Sequence, residues 1–355
     1  MLTNKVIDSK IKLTIFINKN DLAKARPHQM VKVKINKYFP NNTADGEVVE
    51  ILGNNKDAGM DITALVLSSG IKTNFPEEVI LELGEIPDEI NKLDYPNRKD
   101  LTDKVIITID GSDAKDLDDA VRVEKLDNGN YLLGVYIADV SNYVKEGTFL
   151  DLEAFERGTS VYLPDRVIPM LPKKLSNGIC SLNEGVDRLV MACEMEINNL
   201  GEIVNSEIFE GIINSKHRMT YDDVNLMIKG DEKLINKYQD IYGMIVISNE
   251  LSKILNNKRI NRGAFMFETP EAKIILNENG NVVDIVLRQR FDAECLIEEF
   301  MLAANECVAQ TMTWLDVPFI YRVHEEPDEE KMNKFLILAK NSGVSKVDGS
   351  MSDAQ

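Results

Sequence analysis

Tryptophan, histidine and cysteine are scarce in this chain of 355 residues, which contains one, three and four of them respectively. The histidines (His28, His217 and His324) lie far apart in sequence, which argues against a catalytic centre built on paired histidines. The cysteines form no C-x-x-C pair, a pattern typical of free thiols in a reducing cytoplasm. No apolar run approaches the roughly 20 residues that cross a bilayer, and the N-terminus lacks a signal-peptide core. We therefore expect a cytoplasmic protein without a membrane anchor. Because nothing in the sequence suggests a self-complementary apolar face, we also expect a monomer.

Negative charge dominates the composition, but it is unevenly distributed along the chain. The net charge is −18, with 41 Lys and Arg against 59 Asp and Glu. Residues 1–40 reverse this balance, because they hold nine Lys or Arg and only two Asp. A basic segment joined to an acidic body favours a protein that attracts phosphates with one part and holds cations with the other. A solvated lysine-rich face is the simpler alternative for residues 1–40.

Short apolar runs predict a small, half-solvated β-barrel near the start of the chain. Four runs between residues 11 and 83 have the composition of strands: IKLTIFI, VKVKINKYF, ADGEVVEIL and EEVILEL. Lysines alternate with Val and Ile in them, as expected for strands with one face in solvent. Residues 86–104 carry two prolines, many charges and few apolar side chains, so they are expected to link this barrel to the next domain.

After residue 104 the pattern changes to strands mixed with helices, which predicts an α+β fold. Strands are expected at residues 105–109, on both sides of an Asp-Asn-Gly turn at 127–129, and over DRLVMACEMEIN and GEIVNSEIFEGIINS. Helices are expected at residues 149–157, 221–228, 231–256 and 292–314. In the last helix, apolar residues recur every four positions and predict a buried face: Leu296, Phe300, Ala304, Val308 and Met312.

Acidic residues concentrate where the strand at 105–109 ends. Within ten residues lie Asp110, Asp116, Asp118 and Asp119, with Asp113 among them. Carboxylates this close repel one another unless a cation lies between them. Hard oxygen ligands suit Mg²⁺, which keeps several waters and binds substrate phosphates. The cluster therefore predicts a Mg²⁺ site for phosphoryl chemistry. A solvated acidic loop is the alternative, whereas an EF-hand does not fit the spacing.

Five longer stretches carry a resemblance to a known family: IDGSDAKDLDDAV, IADVSNYV, RGTSVYLPDRVIPMLPKKLSNGICSLNEGVDRLVMACEMEI, LIEEFMLAANE and PFIYRVHEEPDEEK. Together they closely resemble the catalytic RNB domain of the ribonuclease II and ribonuclease R family, nearest to its bacterial ribonuclease R branch. The resemblance runs from about Lys12 to about Lys331. The N-terminal strands are similar to the second cold-shock OB module that precedes this domain. The implied domains are an OB-type barrel at 1–85, a linker at 86–104, the N-terminal portion of a mixed α/β RNB domain at 105–345, and a tail at 346–355.

The resemblance implies processive 3′-to-5′ hydrolysis of single-stranded RNA, with release of nucleoside 5′-monophosphates. It places the four active-site aspartates of the family on Asp110, Asp116, Asp118 and Asp119, which would hold two Mg²⁺ ions for in-line attack by water. Asp113 is not among these four.

The resemblance also assigns four residues to RNA binding. Tyr162 aligns with a tyrosine that holds the terminal nucleotide, and Phe267 with an aromatic residue that clamps the terminal bases. Tyr221 corresponds to an RNA-contacting tyrosine. Of the two glutamates in LIEEFM, Glu299 is preferred over Glu298 as the acidic residue near the RNA end. Without the family, Tyr162 and Phe267 would be read as packing residues.

The chain departs from the family at both ends. A first cold-shock module is not visible upstream. Downstream, the chain stops before the stretch that carries a phosphate-binding arginine and before the C-terminal OB module. We therefore expect the parent protein to be an exoribonuclease and this truncated chain to have impaired activity. The alternatives are a single-stranded RNA-binding fragment without turnover and, more remotely, a Mg²⁺-dependent phosphatase.

Overall fold

The computed structural model describes residues 2–5, 11–264, 271–323 and 325–343. The chain divides into two compact units, each assembled from three separate stretches. The first unit comprises Met1–Ile86, Tyr143–Lys174 and Pro270–Gln289. The second unit comprises Pro87–Asn142, Leu175–Thr269 and Arg290–Gln355. The predicted aspartate cluster belongs to the second unit, so the sheet of that unit determines where these carboxylates lie.

Along the described chain, groups of consecutive strands are separated by one to three helices. The strands, in chain order, are β1 (Leu2–Lys5), β2 (Thr14–Ile17), β3 (Gln29–Phe39), β4 (Thr43–Asn54), β5 (Lys99–Asp100), β6 (Ile107–Asp110), β7 (Asp119–Lys125), β8 (Tyr131–Ala138), β9 (Val161–Tyr162), β10 (Val167–Ile168), β11 (Asp187–Ile197), β12 (Ile203–Asn214), β13 (His217–Thr220), β14 (Glu271–Leu276) and β15 (Val282–Arg288). The α-helices are α1 (Met60–Ser68), α2 (Glu77–Glu85), α3 (Phe149–Arg157), α4 (Tyr221–Ile228), α5 (Glu232–Lys237), α6 (Gln239–Asn261), α7 (Asp292–Trp314) and α8 (Glu329–Asn341).

The first unit contains three of the four predicted barrel strands in a sheet of order β1–β2–β4–β3. β2 and β4 run parallel, whereas the other neighbours are antiparallel. Successive side chains of β2 and β4 point to opposite faces of the sheet. Ile15, Ile17 and Val48 are buried together and form a small core. The strand predictions for IKLTIFI, VKVKINKYF and ADGEVVEIL are therefore confirmed.

The fourth predicted strand, EEVILEL, is wrong because these residues form most of α2. Its apolar residues also fit helical spacing: Val79 is buried and Leu83, four positions later, is half-buried. Two glutamates occupy the first turn, where negative charge is favourable near the positive end of the helix dipole. α2 packs against α3, and the Glu82 carboxylate accepts a hydrogen bond from Leu150 N at 3.0 Å. Tertiary packing and charge thus outweigh the β propensity of Val and Ile in this segment.

The second unit is built around a seven-stranded sheet of order β13–β6–β7–β8–β11–β12–β5. The pairs β6–β13 and β12–β5 are parallel, and the other pairs are antiparallel. The turn at residues 127–129 joins β7 to β8, with Gly129 in the left-handed region (φ 85°), where glycine is favoured. The hairpin predicted from Asp-Asn-Gly is therefore confirmed.

Three helices, α4, α6 and α7, pack on one face of this sheet and enclose the main core. In α7, Leu296, Phe300 and Ala304 are buried at four-residue spacing, which confirms the predicted apolar face. Complete burial of each large apolar side chain contributes roughly 1.5–3 kcal/mol to stability. The predicted helices at 149–157, 221–228 and 292–314 coincide with α3, α4 and α7.

The helix predicted at 231–256 is two helices, α5 and α6. The backbone leaves the helical region at Tyr238 (φ −116°, ψ 42°), and α6 then continues to Asn261. The break coincides with an aromatic contact, because the Tyr238 ring lies edge-on to His217 at a centroid distance of 5.4 Å. The hairpin β14–β15 and the helices α1 and α8 were not predicted. Within the described residues, no helix has both the length and the apolar character needed to cross a membrane.

Candidate active site at the aspartate loop

The aspartate loop (residues 110–119) connects two neighbouring strands of the second unit. Asp110 is the last residue of β6 and Asp119 is the first residue of β7. β6 forms because its β-branched residues enter the buried interior. The sheet therefore holds the carboxylates at both ends of the loop, whereas Asp116 and Asp118 lie in the connection between the strands.

A buried apolar residue and two backbone hydrogen bonds hold the second half of the loop. The Leu117 side chain is buried, although its neighbours in sequence are acidic. Leu182 N donates to the Leu117 carbonyl at 2.8 Å, and Ala138 N donates to the Asp118 carbonyl at 2.9 Å. The main chain around the acidic residues is therefore part of the folded framework. A freely solvated acidic loop would lack these bonds.

Strand β13 borders β6 on its other side and brings a second predicted site residue to the loop. In this parallel pair, Thr220 is the partner of Asp110. The Thr220 hydroxyl accepts a hydrogen bond from Asp223 N at 3.1 Å and so caps α4, whose first residue is Tyr221. The half-buried Tyr221 is thus one residue from the strand partner of Asp110.

The two carboxylates at the strand ends have raised pKa values. The pKa of Asp110 is raised to about 7, first by burial and then by the negative charges of Asp119 and Asp118. The positive charge of Arg218 opposes this rise. Burial also raises the pKa of Asp119 to about 6, with a further contribution from Asp118. Both carboxyl groups therefore lack compensation for their charge near neutral pH.

The two middle aspartates differ in exposure. Asp118 is exposed and Asp116 is half-buried. Protein atoms around the Asp118 carboxyl displace water and raise its pKa, and the charge of Asp116 adds to this effect. Asp113, which the family resemblance leaves outside the four, is exposed. The side chain of Asp113 therefore serves as a natural comparison within the same loop.

The donor chemistry of the loop suits a hard cation. Among the described residues, Asp110 Oδ2 and Asp119 Oδ2 are buried side-chain oxygens without a hydrogen-bond partner. An unpartnered buried carboxylate oxygen is costly, and a divalent cation would satisfy it. Across the described part of the chain, however, no three His, Cys, Asp or Glu side chains converge closely enough to chelate one ion. The fit to a metal therefore rests on these two oxygens and on the type of donor, not on a preformed cage.

The predicted aromatic RNA-binding residues lie in different parts of the chain. Tyr162 lies in β9 of the first unit, and 66% of its surface is exposed. Phe267 lies outside the described residues. His217, which lies in β13 near the loop, is hydrogen-bonded within the second unit, because its Nε2 lies 2.7 Å from Asp240 Oδ2. Of the three predicted RNA-binding aromatic residues, the structure places Tyr221 beside the aspartate loop.

Glu299 lies inside the second unit, between α6 and α7. The residue is 2% exposed. The Glu299 carboxylate forms an ion pair with Arg259 at 2.5 Å and accepts a hydrogen bond from Asn256 at 2.8 Å. The adjacent Glu298 is exposed and pairs with Arg290. In this structure Glu299 is thus engaged by protein groups, and its assignment to RNA binding stays a prediction.

Sequence reasoning gave no role at the loop to two polar residues that contact its main chain, Ser181 and Arg218. Ser181 is completely buried and hydrogen-bonds to the loop at Leu117 N, and Arg218 donates to the carbonyl of Ala114. Both are more than 60 residues from the loop in sequence. Their proximity depends on the order of strands in the sheet, which the sequence pattern alone does not reveal.

Comparisons with known proteins agree with this architecture. The RNB domain family matches residues 98–354, and the cold shock domain family matches residues 5–76. Ribonuclease R of Thermotoga maritima is 51% identical over 341 residues, which represent 95% of this chain and 48% of that protein. The chain spans about half the length of the curated relatives it matches.

Two solved structures show the range of proteins with this fold. Mycoplasma genitalium RNase R in complex with ribose-methylated single-stranded RNA matches with a TM-score of 0.86 and 30% identity, over 96% of this chain and 53% of that chain. Yeast Ssd1, described as a pseudonuclease, matches with a TM-score of 0.70 and 18% identity, over 98% of this chain and 44% of that chain. At that identity the second likeness concerns the fold alone.

Proposed function

This chain belongs to the RNB domain family, with a cold-shock OB domain on its N-terminal side, and we propose that it carries the catalytic site of a hydrolytic exoribonuclease. The proposed reaction is processive removal of nucleoside 5′-monophosphates from the 3′ end of single-stranded RNA. The proposed cofactor is Mg²⁺, with two ions at the aspartate loop. Cytoplasmic location and a monomeric state stay predictions from the sequence.

The observation that carries this proposal is the unsatisfied carboxylate pair at the ends of β6 and β7. Two buried oxygens, one on Asp110 and one on Asp119, lack a hydrogen-bond partner among the described residues. Burying an unpaired carboxylate costs roughly several kcal/mol of folding free energy. The presence of two such carboxylates in the folded protein therefore points to a bound cation that compensates their charge. The resemblance described in the sequence analysis assigns the four active-site aspartates of the family to these two residues together with Asp116 and Asp118.

The proposed roles follow from the position of each side chain. Asp110 and Asp119, held by the sheet, and Asp116 and Asp118, held by the loop, would bind the metal ions. When bound, Mg²⁺ supplies positive charge against the phosphate and makes an attacking water more acidic. The contribution of the chain itself would be to keep four carboxylates on one short, anchored segment, which would fix the positions of the ions and, through them, of the phosphate and the water. No histidine is needed as the general base in this scheme.

The RNA contacts are proposed on the family match alone. Tyr162 would hold the terminal nucleotide and Phe267 would stack on the terminal bases. Each stacked base contributes roughly 1–3 kcal/mol irrespective of its identity, which suits an enzyme that degrades any sequence. Tyr221 and Glu299 are assigned to the same RNA end. The basic N-terminal segment would attract the phosphate backbone.

A second candidate function is single-stranded RNA binding without turnover. The observation in its favour is that no three acidic, histidine or cysteine side chains in the described residues converge on one point. The same overall fold also occurs in a protein described as a pseudonuclease, so the fold does not decide between catalysis and binding. The two candidates differ in their requirement for a divalent cation.

The test is degradation of a uniformly labelled single-stranded RNA, with products separated by length, in Mg²⁺ and in EDTA. We expect mononucleotides in Mg²⁺ and none in EDTA. Asp118→Asn should lower the rate by about 100-fold or more, because the variant loses a carboxylate that would hold the ion opposing the charge of the transition state. Asp113→Asn is the matched control, since it removes one exposed charge from the same loop, and it should retain most of the activity.

The outcome separates the candidates. RNA retained on the protein in EDTA, with no products under any condition, would favour the binding function. Products that persist in EDTA, or equal loss in Asp118→Asn and Asp113→Asn, would contradict the proposed metal site. Free phosphate as the product from short substrates would indicate a phosphatase.

A further inference from the structure

The aspartate loop requires external anchors, because four carboxylates in ten residues repel one another. Two of them, Asp116 and Asp118, lie in the connection and have no strand to direct them. A metal site needs its ligands oriented before the ion arrives, and groups that contact the ligand-bearing segment usually provide this orientation. Two side chains, Arg218 and Ser181, make such contacts with the main chain on either side of Asp116.

One anchor is Arg218 in β13. Its Nη2 donates to the Ala114 carbonyl at 2.5 Å and lies 3.4 Å from the Ser112 carbonyl. The Arg218 backbone is itself held, because its N donates to the Glu184 carboxylate at 2.8 Å. Within the described residues, this guanidinium forms no ion pair with a carboxylate, although it is exposed. The Arg218 side chain thus holds the main chain of the loop by hydrogen bonding at a position before Asp116.

The other anchor is Ser181, which is completely buried. Its hydroxyl accepts a hydrogen bond from Leu117 N and donates to the Lys115 carbonyl, both at 3.1 Å. One hydroxyl therefore bridges the residues on either side of Asp116. The position of Ser181 is secured in turn by Arg188, whose Nε donates to the Ser181 carbonyl at 2.9 Å. A methyl group at this position would leave the Leu117 amide without that partner.

We infer that Arg218 and Ser181 are positioning residues that set the direction of the Asp116 and Asp118 carboxylates by holding the loop main chain on both sides of Asp116. This inference rests on the proposed metal-dependent function. Neither residue touches a carboxylate of the loop through a hydrogen bond in the described structure. Their loss should therefore weaken metal binding and leave the binding of RNA by other surfaces intact.

The test measures Mn²⁺ affinity by electron paramagnetic resonance on the full chain, since Mn²⁺ accepts the same ligands as Mg²⁺. Arg218→Ala and Ser181→Ala should each lower Mn²⁺ affinity about 10- to 100-fold, the usual effect of removing a group that orients a metal ligand. Arg262→Ala is the matched control, because Arg262 is an exposed arginine of the same unit that pairs with Glu306. Its Mn²⁺ affinity should equal that of the unmodified chain. Binding of single-stranded RNA in EDTA should be the same in all four proteins.

A further variant, Arg218→Lys, keeps the positive charge but shortens the side chain and removes the planar fork. Its Mn²⁺ affinity should stay below that of the unmodified chain. Complete recovery in Arg218→Lys would show that charge alone matters and would overturn the positioning role. Because Arg218 is exposed, its variants test the inference even if Ser181→Ala does not fold.

Failure of this inference is distinguishable from failure of the proposed function. If the unmodified chain binds Mn²⁺ and degrades RNA, and Arg218→Ala does both equally well, the positioning role is refuted and the function stands. If the unmodified chain neither binds Mn²⁺ nor degrades RNA, both are refuted.

Discussion

Replacement of Asp110 by asparagine should stabilise the metal-free protein, and more so at high pH. The pKa of Asp110 is about 7 in the folded protein, against an ordinary value of 3.8. Between these two pH values, the folded state retains a proton that the unfolded state has released, so stability falls as pH rises. Each pKa unit corresponds to about 1.4 kcal/mol, so the full penalty above pH 7 is at most about 4 kcal/mol. Partial exposure of the side chain reduces this limit through solvent screening.

The assay is thermal unfolding in EDTA at pH 4.5 and pH 8.5. At pH 4.5 the same two pKa values leave a penalty of only about 1 kcal/mol, so Asp110→Asn should gain little. At pH 8.5 it should gain up to about 4 kcal/mol, or roughly 8–16 °C in Tm for a unit of this size. Asp113→Asn is the control, because it removes an exposed charge from the same loop. Its gain should be small at both pH values.

Metal addition extends the same experiment. A cation that binds only the folded state raises stability as its concentration exceeds the Kd. Mg²⁺ should therefore raise the Tm of the unmodified chain at pH 8.5 and have less effect on Asp110→Asn. Equal gains of Asp110→Asn at the two pH values, or no gain at either, would refute the assignment of a buried, uncompensated charge to this residue.

Three other substitutions should have separable effects. Asp139→Ala removes the buried carboxylate that pairs with Arg98 and leaves only the more distant, exposed Glu210 at 3.8 Å, so it should cost about 3–5 kcal/mol in urea unfolding; an unchanged midpoint would contradict this. Gly46→Ala places a Cβ 2.7 Å from the Lys34 carbonyl oxygen, so it should cost about 1–3 kcal/mol, although alanine is usually more favourable than glycine within a strand. Tyr162→Ala should weaken the binding of single-stranded RNA by about 1–3 kcal/mol in a filter-binding assay without lowering Tm, because its ring is exposed.

Elements with strong, regular spacing could be predicted from the sequence. The apolar positions of α7 recur every four residues from Leu296 to Met312, and its bounds were predicted correctly. The β7–β8 hairpin was predictable because Asp-Asn-Gly has a specific turn chemistry. α2 was not predictable, because Val and Ile favour strands intrinsically, whereas the buried Val79 and the half-buried Leu83 lie on one face of a helix. The break between α5 and α6 at Tyr238 could not be predicted either, because apolar residues recur at helical spacing on both sides of it.

In the candidate site, too, features that are local in sequence could be predicted and long-range contacts could not. The four aspartates were visible because they are neighbours in sequence, and the raised pKa of Asp110 follows from their density together with burial. The anchors of the loop were not visible, because Arg218 reaches it through the strand order and Ser181 through the segment that precedes β11, both far from the loop in sequence. The burial of Glu299 against Arg259 was equally hidden. Sequence patterns report local periodicity, whereas these contacts join residues that are distant along the chain.

Because β6 pairs with β13, a strand that lies much later in the chain, the candidate site cannot assemble until β13 has been synthesised. Asp110 is paired with Thr220, so the strand that borders the loop is made about 110 residues after the first aspartate. At ordinary translation rates this interval lasts roughly 5–20 s. During that time the growing chain carries all four aspartates without Arg218 or the edge strand that supports it. The ribosome will therefore have moved well past the aspartate codons of the message before the carboxylate cluster can close.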